Sequence, residues 1–126
     1  MKNVALINDL SGYGRCSLTA AIPVISALGI TCHPMPTAIL TGQSGYPVFY
    51  CEDMTNMLPR YTEAWKQNKA TFDGIYSGYL TGPDQIDCLE EFIKRFGQRR
   101  HSCWLILLWE IMVVYMEYIQ QNCFRR

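Results

Sequence analysis

Short apolar segments alternate with helical segments in this chain, and this alternation restricts the fold more than any other feature of the sequence. Residues 3–8 (NVALIN) form a short apolar run that ends at polar and glycine residues, as a buried parallel strand does. Residues 17–29 have apolar side chains at helical spacing. Ser17 can cap this helix and Gly29 can end it, although Pro23 lies in its interior.

Four further segments continue the alternation. Residues 30–40 have β-type composition interrupted by two prolines, so we expect an edge or irregular strand there. A helix is predicted from Asp53 or Thr55 toward Lys66, although Pro59 lies within it, and residues 72–80 are a second candidate strand. Residues 81–97 show the strongest helical pattern, with Pro83 in the first turn and Gly97 at the end. The order of these segments predicts an α/β fold with a mainly parallel, doubly wound sheet.

The composition excludes several classes of protein. The 126 residues carry no net charge and only 17% of them are charged, so we expect neither a general nucleic-acid binder nor a disordered acidic tail. The six cysteines form no CxxC pair, and no secretory signal precedes them. A reduced, cytoplasmic protein with free thiols is therefore expected.

Three loops follow the predicted strands, at residues 9–16, 41–50 and 77–82. Each is rich in glycine and hydroxyl residues, which let backbone groups approach a ligand closely. Any one of these loops is equally typical of an ordinary turn. Because ligands of parallel sheets bind at the carboxyl ends of the strands, the three loops together favour a binding site. The stretch GYGRCS is neither a P-loop nor a Rossmann fingerprint.

The stretches INDLSGYGRCSLTAAIPVISALGI, PTAILTGQSGYP and FDGIYSGYL, in this order, resemble the pyridoxal (pyridoxine/pyridoxamine) kinases of the ribokinase-like superfamily. The resemblance spans residues 3–97 and implies the N-terminal part of an α/β/α sandwich. It implies a kinase that uses ATP and Mg²⁺ to phosphorylate the 5′-hydroxymethyl group of a vitamin B6 vitamer, commonly as a homodimer. Hydroxymethylpyrimidine kinases of thiamin synthesis share this fold, but NDLSGYGRCS and SGYL favour the B6 branch.

The resemblance also implies a substrate site. Asp9 stands where many relatives have a serine that contacts the pyridine ring. Its carboxylate would meet a protonated ring nitrogen or the ring hydroxyl, or would simply cap its loop. Ser44 corresponds to a ring-contacting threonine, and Tyr79 to a tyrosine of the pocket. The expected substrate-binding residues are Asp9, Gly12, Gly14, Cys16, Ser44, Tyr46 and Tyr79.

The catalytic apparatus of the resembled family is not found in the sequence. In that superfamily the base is an aspartate in a Gly-x-Gly-Asp turn that opens a helix. No such turn occurs after residue 97, and the family's DPVMGD segment near the nucleotide and metal is also missing. We therefore predict no catalytic residue, metal ligand or nucleotide site in this chain, and negligible phosphotransfer by the chain alone.

The tail CWLILLWEIMVVYMEYIQ suggests why. Suppose that the DNA is read one base earlier, so that the last base of each codon joins the first two bases of the next. The Trp and Met codons end in G, and Glu and Val codons begin with G. Each Trp or Met that precedes Glu or Val therefore gives a glycine codon, which begins with GG. These junctions are Trp109/Glu110, Met112/Val113 and Met116/Glu117. Degenerate codons then permit LVLVDPVMGDNGSIYGIY, which contains the missing segment. We hypothesise a single-base frameshift near residues 98–101, so that residues 1–97 are kinase-like and residues 98–126 are an atypical, out-of-frame tail.

Other interpretations of the tail remain open. Its apolar run is shorter than the roughly 20 residues of a spanning helix and contains Glu110, so no membrane span is expected. Residues 103–116 could instead form a short strand or helix that covers the sheet. The alternative function is a non-catalytic fragment that binds a B6 vitamer weakly or pairs with a full-length subunit.

Overall fold

The computed structural model describes residues 1–97 and the backbone of a two-residue strand at 104–105. The elements are β1 (Asn3–Tyr13), α1 (Ser17–Ala27), β2 (Thr31–Gly42), β3 (Cys51–Asp53), a 3-10 helix (Thr55–Met57), α2 (Leu58–Gln67), β4 (Gly74–Ser77), α3 (Pro83–Phe96) and β5 (Trp104–Leu105). The predictions about the tail fall outside the described residues, apart from β5.

One sheet with the order β3-β2-β1-β4-β5 organises these elements. β1 lies at its centre and pairs in parallel with β2 and β4, and β5 pairs in parallel with β4. Only β3 is antiparallel. The chain moves from β1 to β2 in one direction and from β4 to β5 in the other, so right-handed crossovers place α1 and α3 on opposite faces. The predicted α/β fold with a mainly parallel, doubly wound sheet is confirmed.

The main core lies between the sheet and helices α2 and α3. Ala5 and Ile7 of β1 pack there against Leu58 of α2 and against Leu89 and Phe92 of α3. Each of these five side chains is almost fully buried. The buried positions of α3 follow helical spacing, which is why the sequence pattern predicted this helix correctly.

Aromatic rings extend this core toward the amino ends of the strands. The rings of Phe92 and Phe96 lie 4.7 Å apart between centroids, and those of Trp65 and Phe72 lie 5.2 Å apart. His33 packs edge-on against Phe72 at 5.7 Å. Such tilted contacts add to the area that the rings bury, so they help to fix α2 and α3 on the sheet.

The predicted loop at residues 9–16 is wrong over most of its length, because β1 continues to Tyr13. Pairing with β2 runs on to Tyr13 opposite Gly42, with a register shift between Asn8 and Leu10. Ser17 is not the cap of α1 either. Cys16 is the N-cap, and its N–H donates to the Thr19 hydroxyl at 3.3 Å.

The prolines fit the strands and helices better than the sequence pattern indicated. Pro34 and Pro36 lie in β2. Within the described residues, β3 pairs only with positions 38–40 of β2. The side of β2 that faces away from β1 therefore has no partner strand at the two prolines, so no backbone N–H is needed there. Pro59 stands in the first turn of α2, where no intrahelical N–H is needed. Pro23 lies inside α1 as predicted, and Leu18 is the buried residue of that helix.

No helix in the described part of the chain combines the length and the apolar character that crossing a membrane requires.

Candidate functional site

The carboxyl ends of three parallel strands meet at one edge of the sheet. β1 ends at Tyr13, β2 at Gly42 and β4 at Ser77. The segments that follow them, residues 14–16, 43–50 and 78–82, therefore lie at this carboxyl edge. Ligands of parallel α/β sheets bind at such an edge, so the geometry agrees with the expected position of a site.

The first two segments are in direct contact. The Gln43 N–H donates to the Tyr13 carbonyl at 2.9 Å, and the rings of Tyr13 and Tyr46 lie 5.0 Å apart between centroids. Gly14 has φ +107°, and a Cβ there would lie 2.7 Å from the Gln43 side chain. Only glycine meets both conditions without strain.

Gly12 also lies at this contact. A Cβ added to it would come within 2.8 Å of the Thr41 carbonyl oxygen. The structure therefore places Gly12, Gly14 and Tyr46 close together, through the close approach of the ends of β1 and β2. Their role in substrate binding stays a prediction.

Asp9 and Tyr79 are joined by one side chain. Asn8 Oδ1 accepts hydrogen bonds from the Asp9 N–H at 2.9 Å and from the Tyr79 N–H at 2.7 Å. The Asn8 amide lies directly over Gly78, where a Cβ would overlap with it. Two predicted site residues that are 70 positions apart in the sequence are therefore held at the same point of the carboxyl edge.

Asp9 is a buried carboxylate, with 6% of its surface exposed. Within the described residues, its side-chain partner is the Ser11 hydroxyl, which donates to Oδ2 at 3.0 Å. A buried carboxylate is costly unless several donors surround it. Asp9 therefore has the capacity to accept a further donor, such as a protonated group of a ligand.

Tyr79 is 39% exposed, so its ring can reach a ligand while its peptide is fixed. The hydroxyl of buried Thr37 donates to the Tyr79 carbonyl at 2.8 Å. No hydrogen bond within the described part joins Ser44 or Cys16 to Asp9 or Tyr79. Ser44 is exposed in the second segment and Cys16 caps α1. Substrate contact by these two residues, as by the other predicted site residues, stays a prediction.

Carboxylates give this edge a negative field. Partial burial raises the pKa of the Cys51 thiol, on a residue that is exposed overall, and the charges of Asp53, Asp9 and Glu52 raise this pKa further. Hydrogen bonds from the side chains of Thr55 and Thr81 lower the pKa of Asp53.

An open depression elsewhere on the molecule runs along the solvent-facing side of α3. Its lining residues are Asp87, Glu90, Glu91, Lys94 and Arg95. Lys94 and Glu90 form an ion pair at 3.6 Å, with spacing typical of a solvated helix face. We place the candidate site at the carboxyl edge rather than here, because the depression runs along α3 away from the converging strand ends.

Comparison with known proteins identifies relatives among solved structures. No family model matches the chain, and no curated protein matches it. A candidate phosphomethylpyrimidine kinase from Bacteroides thetaiotaomicron is 40% identical, with a TM-score of 0.77 over 84% of this chain. An orthorhombic crystal form of that protein contains pyridoxal. The matched part of this chain is similar to that kinase in sequence, and its fold matches that of ribokinase-like neighbours.

Pyridoxal kinases of known structure share this ribokinase-like fold. The enzymes from Lactobacillus plantarum and Trypanosoma brucei are each 23% identical, with TM-scores of 0.73 and 0.75. The chain spans only part of these proteins: it covers 36% of the Bacteroides chain, 37% of the Lactobacillus chain and 46% of the Trypanosoma chain. The structural neighbours are kinases, and the match concerns this portion of the ribokinase-like fold.

Sequence reasoning missed four polar residues near this candidate site. They are the buried residues Asn8, Ser11, Thr37 and Gln85. The signal was present, because each is a polar residue next to buried apolar positions of a strand or on the buried side of a helix. A buried polar group needs a partner, so such positions indicate hydrogen bonds that the apolar pattern does not show.

Proposed function

We propose that this chain binds a vitamin B6 vitamer at the carboxyl edge, as the substrate-binding N-terminal portion of a pyridoxal kinase. The observation that carries the proposal is the buried Asp9 carboxylate, joined through Asn8 to the backbone of the partly exposed Tyr79. The pyridoxal bound to the 40% identical Bacteroides protein supports the same ligand class.

Asp9 and Tyr79 have complementary roles in this proposal. The Asp9 carboxylate accepts a charge-assisted hydrogen bond from the protonated pyridine nitrogen or from the ring hydroxyl. The Tyr79 ring lines the pocket and packs against the pyridine ring. Gly12 and Gly14 let the end of β1 approach the ligand, with Tyr46 beside them.

Phosphate transfer to the 5′-hydroxymethyl group is the reaction that the family implies, with ATP as donor and Mg²⁺ as metal. Such transfer requires a metal and positive groups at the phosphates. In residues 1–97 no three His, Cys, Asp or Glu side chains come together as a metal site. We propose that the chain alone transfers negligible phosphate, because its sequence lacks the family's Gly-x-Gly-Asp turn and DPVMGD segment.

Two further features belong to the proposal. The resemblance supports a cytoplasmic protein and pairing with a second subunit, either another copy or a full-length kinase. Size-exclusion chromatography of the chain, alone and mixed with a full-length relative, tests the pairing.

Titration of the purified chain with pyridoxal, followed by pyridoxal absorbance, tests the binding. Asp9→Asn keeps the shape of the side chain but removes its charge, so affinity should fall about tenfold or more, the worth of a hydrogen bond to a charged group. Asp84→Asn, at an exposed position in the first turn of α3, is the matched control and should bind like the wild type. Equal affinity of the Asp9→Asn variant would contradict the role of Asp9.

A hydroxymethylpyrimidine kinase is the second candidate, because the Bacteroides relative is described as a phosphomethylpyrimidine kinase. Competition between pyridoxal and hydroxymethylpyrimidine in the same titration separates the two. Tighter binding of the pyrimidine would favour the thiamin branch.

A further inference from the structure

The backbone of Tyr79 is held by side chains rather than by the sheet. The ladder between β4 and β1 ends at Ser77, and the Gly78 N–H donates to the Ile7 carbonyl at 2.9 Å as the last backbone bond. Beyond that point, Asn8 accepts from the Tyr79 N–H at 2.7 Å and the Thr37 hydroxyl donates to the Tyr79 carbonyl at 2.8 Å. Both polar groups of one residue are thus fixed by side chains from β1 and β2.

Gln85 of α3 fixes the next layer of this arrangement. Its side chain is fully buried. Its Nε2 donates to the Thr37 carbonyl at 2.8 Å and to the Thr55 hydroxyl at 3.0 Å, and its Oε1 accepts from the Thr81 N–H at 3.0 Å. The amide therefore ties β2 and the 3-10 helix to the segment that follows Tyr79.

The burial of these residues separates them from any ligand. Thr37 and Gln85 expose none of their surface and Asn8 exposes 4%, whereas Tyr79 exposes 39%. Within this group, only the tyrosine ring can touch a bound molecule to a large extent. Thr37 is bonded directly to the Tyr79 carbonyl, and Gln85 is bonded to Thr37 and to Thr81, so both can act on a ligand through the position of Tyr79.

We propose that Thr37 and Gln85 are positioning residues that hold the Tyr79 ring in its binding orientation and so set the affinity for the vitamer. This inference rests on the proposed function. The three side chains Asn8, Thr37 and Gln85 are called the Tyr79 clamp. The clamp replaces the missing sheet ladder at residues 79–81, and a preorganised ring binds more tightly than one that must be ordered on binding.

Two variants at one position separate the hydrogen bond from the rest of the side chain. Thr37→Val has nearly the same shape but cannot donate to the Tyr79 carbonyl, and pyridoxal affinity should fall about tenfold, the equivalent of one hydrogen bond. Thr37→Ser keeps the hydroxyl and should retain most of the affinity. Equal affinities of the Val and Ser variants would overturn the proposal.

A double-mutant cycle tests whether the effect passes through the tyrosine. In a Tyr79→Ala background, Thr37→Val should change pyridoxal affinity by less than about twofold, because the ring that it positions is gone. A purely structural role predicts the same loss in both backgrounds, and that result would overturn the proposal.

Hydrogen exchange gives a readout that needs no ligand. Gln85→Leu should speed the exchange of the amides of residues 79–82 and leave those of α2 unchanged. Gln67→Leu is the matched control, because Gln67 is exposed. Within the described residues, its side chain bonds only to Glu63, with Nε2 donating to Oε1 at 3.0 Å. Unchanged exchange at residues 79–82 would contradict the clamp.

Pyridoxal binding by the wild type and by the clamp variants also separates this inference from the proposed function. If the wild type fails to bind pyridoxal, the proposed function is wrong, and the clamp as a device for binding the vitamer is wrong with it. If the wild type binds and the clamp variants bind equally well, only the positioning role is wrong.

Discussion

Replacing Gly78 with alanine should destabilise the fold much more than a typical Gly→Ala change. An added Cβ would overlap with the Asn8 side chain, which is only 4% exposed. That side chain cannot turn aside freely, because its Oδ1 accepts from the N–H groups of Asp9 and Tyr79. The methyl group must therefore displace Asn8 and break at least one of these bonds.

The expected size of the effect follows from these contacts. A buried group left without its partner costs about 1–3 kcal/mol, and overpacking of a filled site costs about 1–3 kcal/mol. The two terms overlap, since displacing Asn8 relieves the overlap, so we expect a loss of about 2–4 kcal/mol in the free energy of unfolding. Urea unfolding followed by far-UV circular dichroism measures this quantity.

Two variants make the experiment specific. Gly45→Ala is the matched control, since its Cβ would lie 3.4 Å from the flexible Gln43 side chain, and it should change stability by less than about 0.5 kcal/mol. Asn8→Ala removes the side chain that the added Cβ would overlap. Adding Gly78→Ala to this variant should therefore lower the free energy of unfolding little further. If Gly78→Ala is as stable as Gly45→Ala, or if its cost is the same without Asn8, the proposed packing of Asn8 over Gly78 is refuted.

Three further predictions follow from the field at the carboxyl edge, from the missing catalytic turn and from the tail. Burial, and then the charge of Asp53, raise the pKa of the Cys51 thiol, so its alkylation by iodoacetamide should require a higher pH than the alkylation of an ordinary thiol. Asp53→Asn should move the midpoint of this pH profile downward. An unmoved midpoint would refute the negative field at this edge. The purified chain should form no ADP from ATP and Mg²⁺ in response to pyridoxal, and pyridoxal-dependent ADP would contradict the proposed lack of transfer. Sequencing the gene around codons 95–110 should show a one-base difference in length from related genes, whereas an intact frame would remove the frameshift hypothesis.

The elements that the sequence predicted well are those in which apolar spacing decides the structure. Helix α3 was predicted correctly, because its buried positions repeat with helical spacing between a first-turn proline and a final glycine. The parallel order of β1, β2 and β4 followed from the alternation of strands and helices. The extension of β1 through Tyr13 could not be predicted, because SGY has turn composition and only pairing with β2 makes it a strand.

The sequence named candidate site residues but not the hydrogen bonds that connect them. Asp9 and Tyr79 were assigned by resemblance, and the structure brings their backbones to one atom of Asn8. The Tyr79 clamp was missed, since its hydrogen bonds join residues 71, 48 and 42 positions apart. Periodicity in sequence carries no information about such distant contacts. The Asn8 side chain requires glycine at position 78, and this requirement likewise depends on a contact that is distant in the sequence.

The most direct test of the account is amide chemical-shift mapping of the ¹⁵N-labelled chain during titration with pyridoxal. Shifts should concentrate at the carboxyl edge, in residues 14–16, 43–50 and 78–82, and at Asp9, and the opposite edge, around Asn3 and Thr31, should be unaffected. Shifts confined to the opposite edge or to α3, or no shifts at all, would contradict the assignment of a vitamer site to these three strand ends.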